Sequence, residues 1–152
     1  MASFTHVLAF ACMFTVTWAT TYDIPFTSCE GITAPSAVRM QCSSFLRGTC
    51  LLNKGQTYSM QAEFTPQTSV EEIESSVAWK AWVEMPLTDQ DFDACNSQIT
   101  CPLTQGSPTT FSYSLHIPNY WMRRRYPIVW RLTDDDTNTR ILCFTVRVQI
   151  TS

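Results

Sequence analysis

Cysteine offers the most covalent chemistry in this sequence. Six of its seven copies, Cys29, Cys42, Cys50, Cys95, Cys101 and Cys143, lie beyond the N-terminal stretch that holds Cys12. An even set at uneven spacing suits disulfide bonds, and six cysteines allow 15 pairings among which spacing alone does not choose. A zinc site would ask for Cys-x-x-Cys pairs with histidines. No such pair occurs, and His116 is the only histidine after His6, so no metal is expected. The other reactive residue types do not assemble a catalytic set either. His116 falls in an alternating stretch beside Leu115 and Ile117, and no Gly-x-Ser-x-Gly turn is present. Asp89 and Asp91 sit in a polar stretch before Cys95, where solvated carboxylates are far commoner than an acid–base pair. The sequence therefore predicts no catalytic residue, no cofactor and no enzyme.

The compartment implied by the cysteines agrees with the start of the chain. Residues 1–19 carry no Lys, Arg, Asp or Glu, hold an apolar run from Val7 to Trp18, and end on Thr17-Trp18-Ala19. A run this short, opening the chain and finishing on small residues, predicts a secretory signal peptide cleaved after Ala19. Residues 20–152 then form one domain of roughly 130 residues, large enough for a core of its own. The net charge is −3, the acids gathering in Glu71-Glu72-Glu74, Asp89-Asp91-Asp93 and Asp134-Asp135-Asp136, while Arg123-Arg124-Arg125 is the single basic run. That balance excludes nucleic acid as the main partner.

The elements that must position any site are strands. Gln56 to Phe64 alternates, placing Tyr58, Met60, Ala62 and Phe64 on one face, and Phe111 to Ile117 does the same with Phe111, Tyr113, Leu115 and Ile117. A strand from Val77 to Val83 is expected after a polar connection from Pro66 to Ser76. Two last strands, Tyr126 to Leu132 and Ile141 to Ile150, flank a polar hairpin loop over 133–139. In the last, Phe144, Val146, Val148 and Ile150 face one way and Thr145, Arg147 and Gln149 the other, as in a sheet with one dry face. Six to eight such strands in a chain of this length predict an all-β fold of two antiparallel sheets packed face to face.

Three patterns give the sequence a family resemblance. The first runs Cys50-Leu51-Leu52-Asn53-Lys54-Gly55-Gln56-Thr57-Tyr58 to Phe64-Thr65. The second is Asp93-Ala94-Cys95 with a short loop closed by Cys101-Pro102-Leu103. The third is Trp130-Arg131-Leu132-Thr133-Asp134-Asp135 followed by Cys143-Phe144 and Val148-Gln149-Ile150. In order and spacing these resemble the ML family of MD-2-related lipid-recognition domains, most closely its Niemann-Pick type C2 sterol-carrier branch, across the whole of residues 20–152. The resemblance implies an immunoglobulin-like β-sandwich with an apolar cavity between its sheets. It also implies the pairing Cys29 with Cys143, Cys42 with Cys50 and Cys95 with Cys101. The function it implies is that of a secreted protein, extracellular or lysosomal, that carries one sterol or fatty-acid-like lipid as a monomer with transient contact with membranes.

Carriage of that kind needs a dry cavity and little else. Pro86-Leu87 matches the family's Pro-Phe pair, which sets Leu87 at a cavity wall. Reading on from Cys101 to Trp130 sets Ile117 at another, with Trp121-Met122 where the family has Tyr-Pro. Leu87, Ile117 and Trp121 are the first expected lipid contacts, and Tyr58, Trp82, Val83, Tyr113, Tyr126, Ile128, Phe144 and Val146 are further candidates, for which plain core packing is the competing reading. Ile117-Pro118 and Tyr126-Pro127 offer a second alignment, and a slip of one residue exchanges inner and outer faces. If Tyr126, Ile128, Trp130 and Leu132 face inward, Arg124 shares their face and would meet a carboxylate, favouring an acidic lipid over a sterol; the alternative is that Arg123-Arg124-Arg125 forms a solvated edge. The second function the resemblance allows is a lipid-recognition co-receptor or innate-immune sensor, docking through Phe45-Leu46 in the long Cys42 to Cys50 loop.

Overall fold

In a computed structural model, which describes residues 20–151, the chain folds as two β-sheets. The segment read as a signal peptide, with Cys12, lies outside the described residues. The smaller sheet has the order β1 (Thr20–Asp23), β3 (Ala37–Cys42), β6 (Thr57–Phe64), β9 (Thr109–His116), all antiparallel. The larger runs β4 (Ser44–Leu46), β5 (Thr49–Leu52), β11 (Thr139–Ile150), β10 (Arg125–Asp134), β7 (Ile73–Lys80), β8 (Glu84–Pro86), and β2 (Phe26–Ser28) also pairs with β11. One short helical turn, α1 (Ala94–Ser97), has the Asp93 side chain accepting from Cys95 N at its start.

The alternation read from sequence is the alternation of burial. Tyr58, Met60, Ala62 and Phe64 of β6, Tyr126, Ile128, Trp130 and Leu132 of β10, and Phe144, Val146, Val148 and Ile150 of β11 all point into the space between the sheets. Trp130 stacks on its cross-strand partner Phe144 at 5.6 Å and meets Tyr113 of the opposite sheet edge-on at 6.5 Å. Such contacts make the centre a packed core.

The three disulfides are those implied by the resemblance. Cys29–Cys143 spans 114 residues, Cys42–Cys50 spans 8 and Cys95–Cys101 spans 6.

The strand expectations need three corrections. There are eleven strands among the described residues where six to eight were expected, because β1, β2, β4, β5 and β8 have only three or four residues each and carry too little alternation to detect. The strand expected from Val77 to Val83 is Ile73–Lys80. Its first half looked like a loop because Ser75 is polar. That side chain nevertheless faces inward, its hydroxyl donating to Asp91 O at 3.0 Å while its N–H donates to Phe92 O. Beyond Lys80 the chain turns, Ala81 N donating to Val83 O, and Trp82 and Val83 ride outside on the tip of the β7–β8 hairpin. They are therefore not cavity walls.

The Cys42 to Cys50 loop is itself a hairpin. Arg47 and Gly48 form its two-residue turn with φ of +49° and +75°, the left-handed pair that matches strand twist. Phe45 stacks on Tyr22 at 5.0 Å, so of the expected docking pair only Leu46 stands clear.

Candidate lipid-binding site

Two sheet edges meet along one side of the sandwich, β9 of the smaller sheet and β8 of the larger. After Pro86 the chain leaves β8 but stays against β7. Leu87 N donates to Val77 O, and the Gln90 side chain takes over the ladder, accepting from Val77 N at 2.7 Å and donating to Leu87 O at 2.7 Å. This clamp fixes residues 85–90 as a wall facing β9. On the other side, Gly55 N donates to Ile117 O and Ile117 N to Gln56 O, tying the end of β9 to the Lys-Gly-Gln motif. Gly55 has φ +70°, and a Cβ there would come within 2.9 Å of Asn119 Oδ1, so the motif needs its glycine.

Between these walls lies a pocket of about 210 Å³. Trp79, Met85, Pro86, Leu87, Thr88 and Asp89 form one side, Tyr113, Ser114, Leu115 and His116 the other, and Pro118, Tyr120 and Trp121 the end. Trp121 is only 8% exposed and lies flat on Tyr126 at 4.7 Å, which meets Trp79 edge-on at 5.4 Å. Thr88 and Tyr120 touch hydroxyl to hydroxyl across the lips at 3.4 Å. Burial pushes the Tyr113 phenol above its usual range, and the charge of Asp91 adds to that.

Of the expected contacts, Leu87, Trp121 and Tyr113 line this pocket, and Tyr126 backs Trp121 from behind. Ile117, Ile128, Phe144 and Val146 are on the inner face but wholly inside the packed core. Tyr58 is also in the core, its hydroxyl bonded to Ser43 Oγ and accepting from Asn53 N at 2.8 Å. Trp79 and Leu115 were not singled out, although each shares the parity of inward neighbours, Val77 for one and Phe111 for the other.

Arg124 does not turn in to meet a ligand. It stands exposed just before β10 with its guanidinium over the rings of Tyr126 and Trp79, at 4.9 and 5.1 Å, a cation–π clasp on the outside of the aromatic cluster. A larger depression of about 560 Å³ lies elsewhere, lined by Glu71, Glu72, Glu74, Asp93 and Asp135, and so many carboxylates suit no apolar tail. Among the described residues no cluster of His, Cys, Asp or Glu could hold a metal ion, and no helix is long and apolar enough to cross a membrane.

A β-sandwich with these three bridges and an edge pocket between its sheets has the architecture of the ML domain. The family model of that domain matches residues 23–150, and the chain belongs to the family. Within it the chain is of the Niemann-Pick type C2-like branch. It is 30% identical over 104 residues to the mouse (Mus musculus) protein named NPC intracellular cholesterol transporter 2, covering 68% of this chain and 69% of that one. The pig (Sus scrofa) protein of the same name is 32% identical over 109 residues, with 68% and 69% covered. Among solved structures, a Niemann-Pick type C2 protein from the Japanese carpenter ant superposes with a TM-score of 0.73 over 84% of this chain and all of that one, at 15% identity.

Proposed function

We propose that the chain is a secreted carrier, working in extracellular or lysosomal fluid, that takes one lipid of sterol or fatty-acid-like shape in the pocket where the edges of its two sheets meet. The observation that supports this most is the pocket itself, which places Trp79, Leu87, Leu115 and Trp121 where the two sheets part. The names of the mouse and pig relatives point the same way. At about 210 Å³ the pocket is smaller than the ~300–1,000 Å³ usual for small-molecule sites. Uptake therefore requires the aromatic end of the pocket, Trp121 on Tyr126, to move outward and the sheets to part.

The surface beside the mouth suits delivery to and from a bilayer. Trp82 is 102% exposed, and Val83, Met85, Tyr120 and Met122 are exposed as well, Met85 and Tyr120 in the pocket lining itself. These apolar tips, with Arg123, Arg124 and Arg125 close in sequence to Met122, form the kind of rim that enters a lipid surface while its cations meet the head groups. The co-receptor reading has less support, since Phe45 is held on Tyr22 and does not offer a docking pair with Leu46.

Transfer of a fluorescent sterol, dehydroergosterol, between vesicles tests the proposal. The wild-type protein is expected to accelerate transfer. Removing a fully exposed ring worth about 1–2 kcal/mol at a lipid surface should slow it about tenfold in Trp82→Ala with sterol affinity unchanged. No acceleration of sterol or fatty-acid transfer by the wild-type protein contradicts the carrier reading.

A further inference from the structure

The apolar pocket does not end at Asp89. A second, open polar chamber of about 230 Å³, on the outer side of the smaller sheet's edge, adjoins it, sharing Asp89, Tyr113 and Ser114 as a common wall. Its lining is of opposite character, with Ser59, Ser112 and Ser114 from the smaller sheet facing Asp89, Asp91, Ser97 and Gln98 from the crossing segment. Ser112 N donates to Gln98 O at 2.7 Å, which holds that segment against the open edge of β9.

Beside the serine hydroxyls, which can donate or accept, two groups here can only accept and have no donor. Asp91 is occupied, its two carboxylate oxygens accepting from Asp93 N at 3.1 Å and Asn96 Nδ2 at 3.0 Å. Asp89 is not: among the described residues nothing bonds its carboxylate, and its φ of +59° is a left-handed conformation that a non-glycine residue rarely adopts. Gln98 is 7% exposed, gives its Nε2 to Asp91 O, and leaves Oε1 buried without a partner. No Lys or Arg lines either chamber. A buried acceptor without a donor is costly, and a carboxylate head group brought beside Asp89 would be repelled.

We infer that the polar chamber receives the ligand's head group while the tail lies in the apolar pocket, and that the ligand class it fits is a long-chain amino alcohol. The ammonium pairs with Asp89, and the neighbouring hydroxyl bonds within the ring of serine hydroxyls and Gln98 Oε1. This rests on the proposal that the edge pocket takes the tail, and it reverses the head-group preference that an inward Arg124 would have implied.

Direct binding of radiolabelled sphinganine, octadecanol and stearic acid at neutral pH tests it, since the three share a saturated tail of the same length and differ in head group. Sphinganine is expected to bind about tenfold more tightly than stearate, with octadecanol between them. Asp89→Asn, an isosteric change at an exposed site, is expected to bring sphinganine and octadecanol together without altering the melting temperature. Equal affinity for sphinganine and stearate, a preference for stearate, or a sphinganine advantage that survives Asp89→Asn overturns the inference while leaving the tail pocket in place. Failure of all three to bind overturns the inference, and the carrier reading then rests on the dehydroergosterol transfer assay alone.

Discussion

A variant with Cys29 and Cys143 both replaced by alanine is expected to lose about 4–5 kcal/mol of stability, more than removal of either other bridge. Closing a loop restricts the unfolded chain by an amount that grows with the logarithm of loop length. For a separation of 114 residues the chain-entropy estimate is about 4.8 kcal/mol, whereas separations of 8 and 6 residues give about 2.5 and 2.2 kcal/mol. The bridge also sits where the fold has little else to hold it. Just beyond the three-residue strand β2, it fixes the segment over the centre of β11, with Cys29 N donating to Cys143 O at 3.0 Å. Alanine is the apt replacement because Cys143 is fully buried and a serine hydroxyl there would need a partner. Urea unfolding of the three double variants checks the ranking. Equal losses from all three would show that local strain or unfolded-state structure, and not loop length, sets the contribution.

Trp121→Ala is the change expected to damage lipid binding most. Its ring forms the end of the pocket and is held in place by Tyr126 behind it, so truncation removes both a contact and the support that shapes the mouth. A ring face covering on the order of 80 Å² of lipid accounts for about 2 kcal/mol at 25 cal/mol per Å², or roughly a thirtyfold loss of affinity. Ile128→Val is the matched control. Ile128 is equally an inward apolar residue but lies in the packed core, so the change should cost about 1 kcal/mol of stability and leave affinity unchanged. An affinity loss in Ile128→Val as large as that in Trp121→Ala would place the lipid deep in the core instead of at the edge.

The contrast between Trp121 and Ile128 shows what the sequence carries and what it does not. Period-two alternation selects the inward face, and it did so correctly for Tyr58, Ile128, Phe144 and Val146. It is silent on how far a residue lies from an open sheet edge, which depends on strand order, a non-local property. Leu87 and Trp121, which line the edge pocket, were singled out through the aligned Pro86-Leu87 and Tyr-Pro positions of the family, not through periodicity.

Trp82 and Val83 were misplaced for a different reason. The turn Ala81-Trp82-Val83 holds no Gly, Pro, Asn or Asp, so nothing in its composition marks the end of β7 at Lys80. Ser75 hid the beginning of the same strand because its hydrogen-bond partner, the Asp91 carbonyl, comes from sixteen residues away. The inward alternative for Arg124 came from extending the alternation of β10 one step too far, past the strand's first residue, Arg125, whereas the solvated edge also read from the three arginines is what the structure has. The polar chamber beside Asp89 had no signature at all, since its serines lie on the outward parity of β6 and β9, which reads as ordinary solvent-facing surface.

Mass spectrometry of the lipid extracted from protein purified without denaturation bears most directly on the carrier reading. One amphiphile per chain, with a long apolar tail or sterol skeleton, released by organic solvent and absent from the Trp121→Ala variant, is the predicted result. Protein that yields no lipid, or that releases a water-soluble molecule in its place, would contradict it.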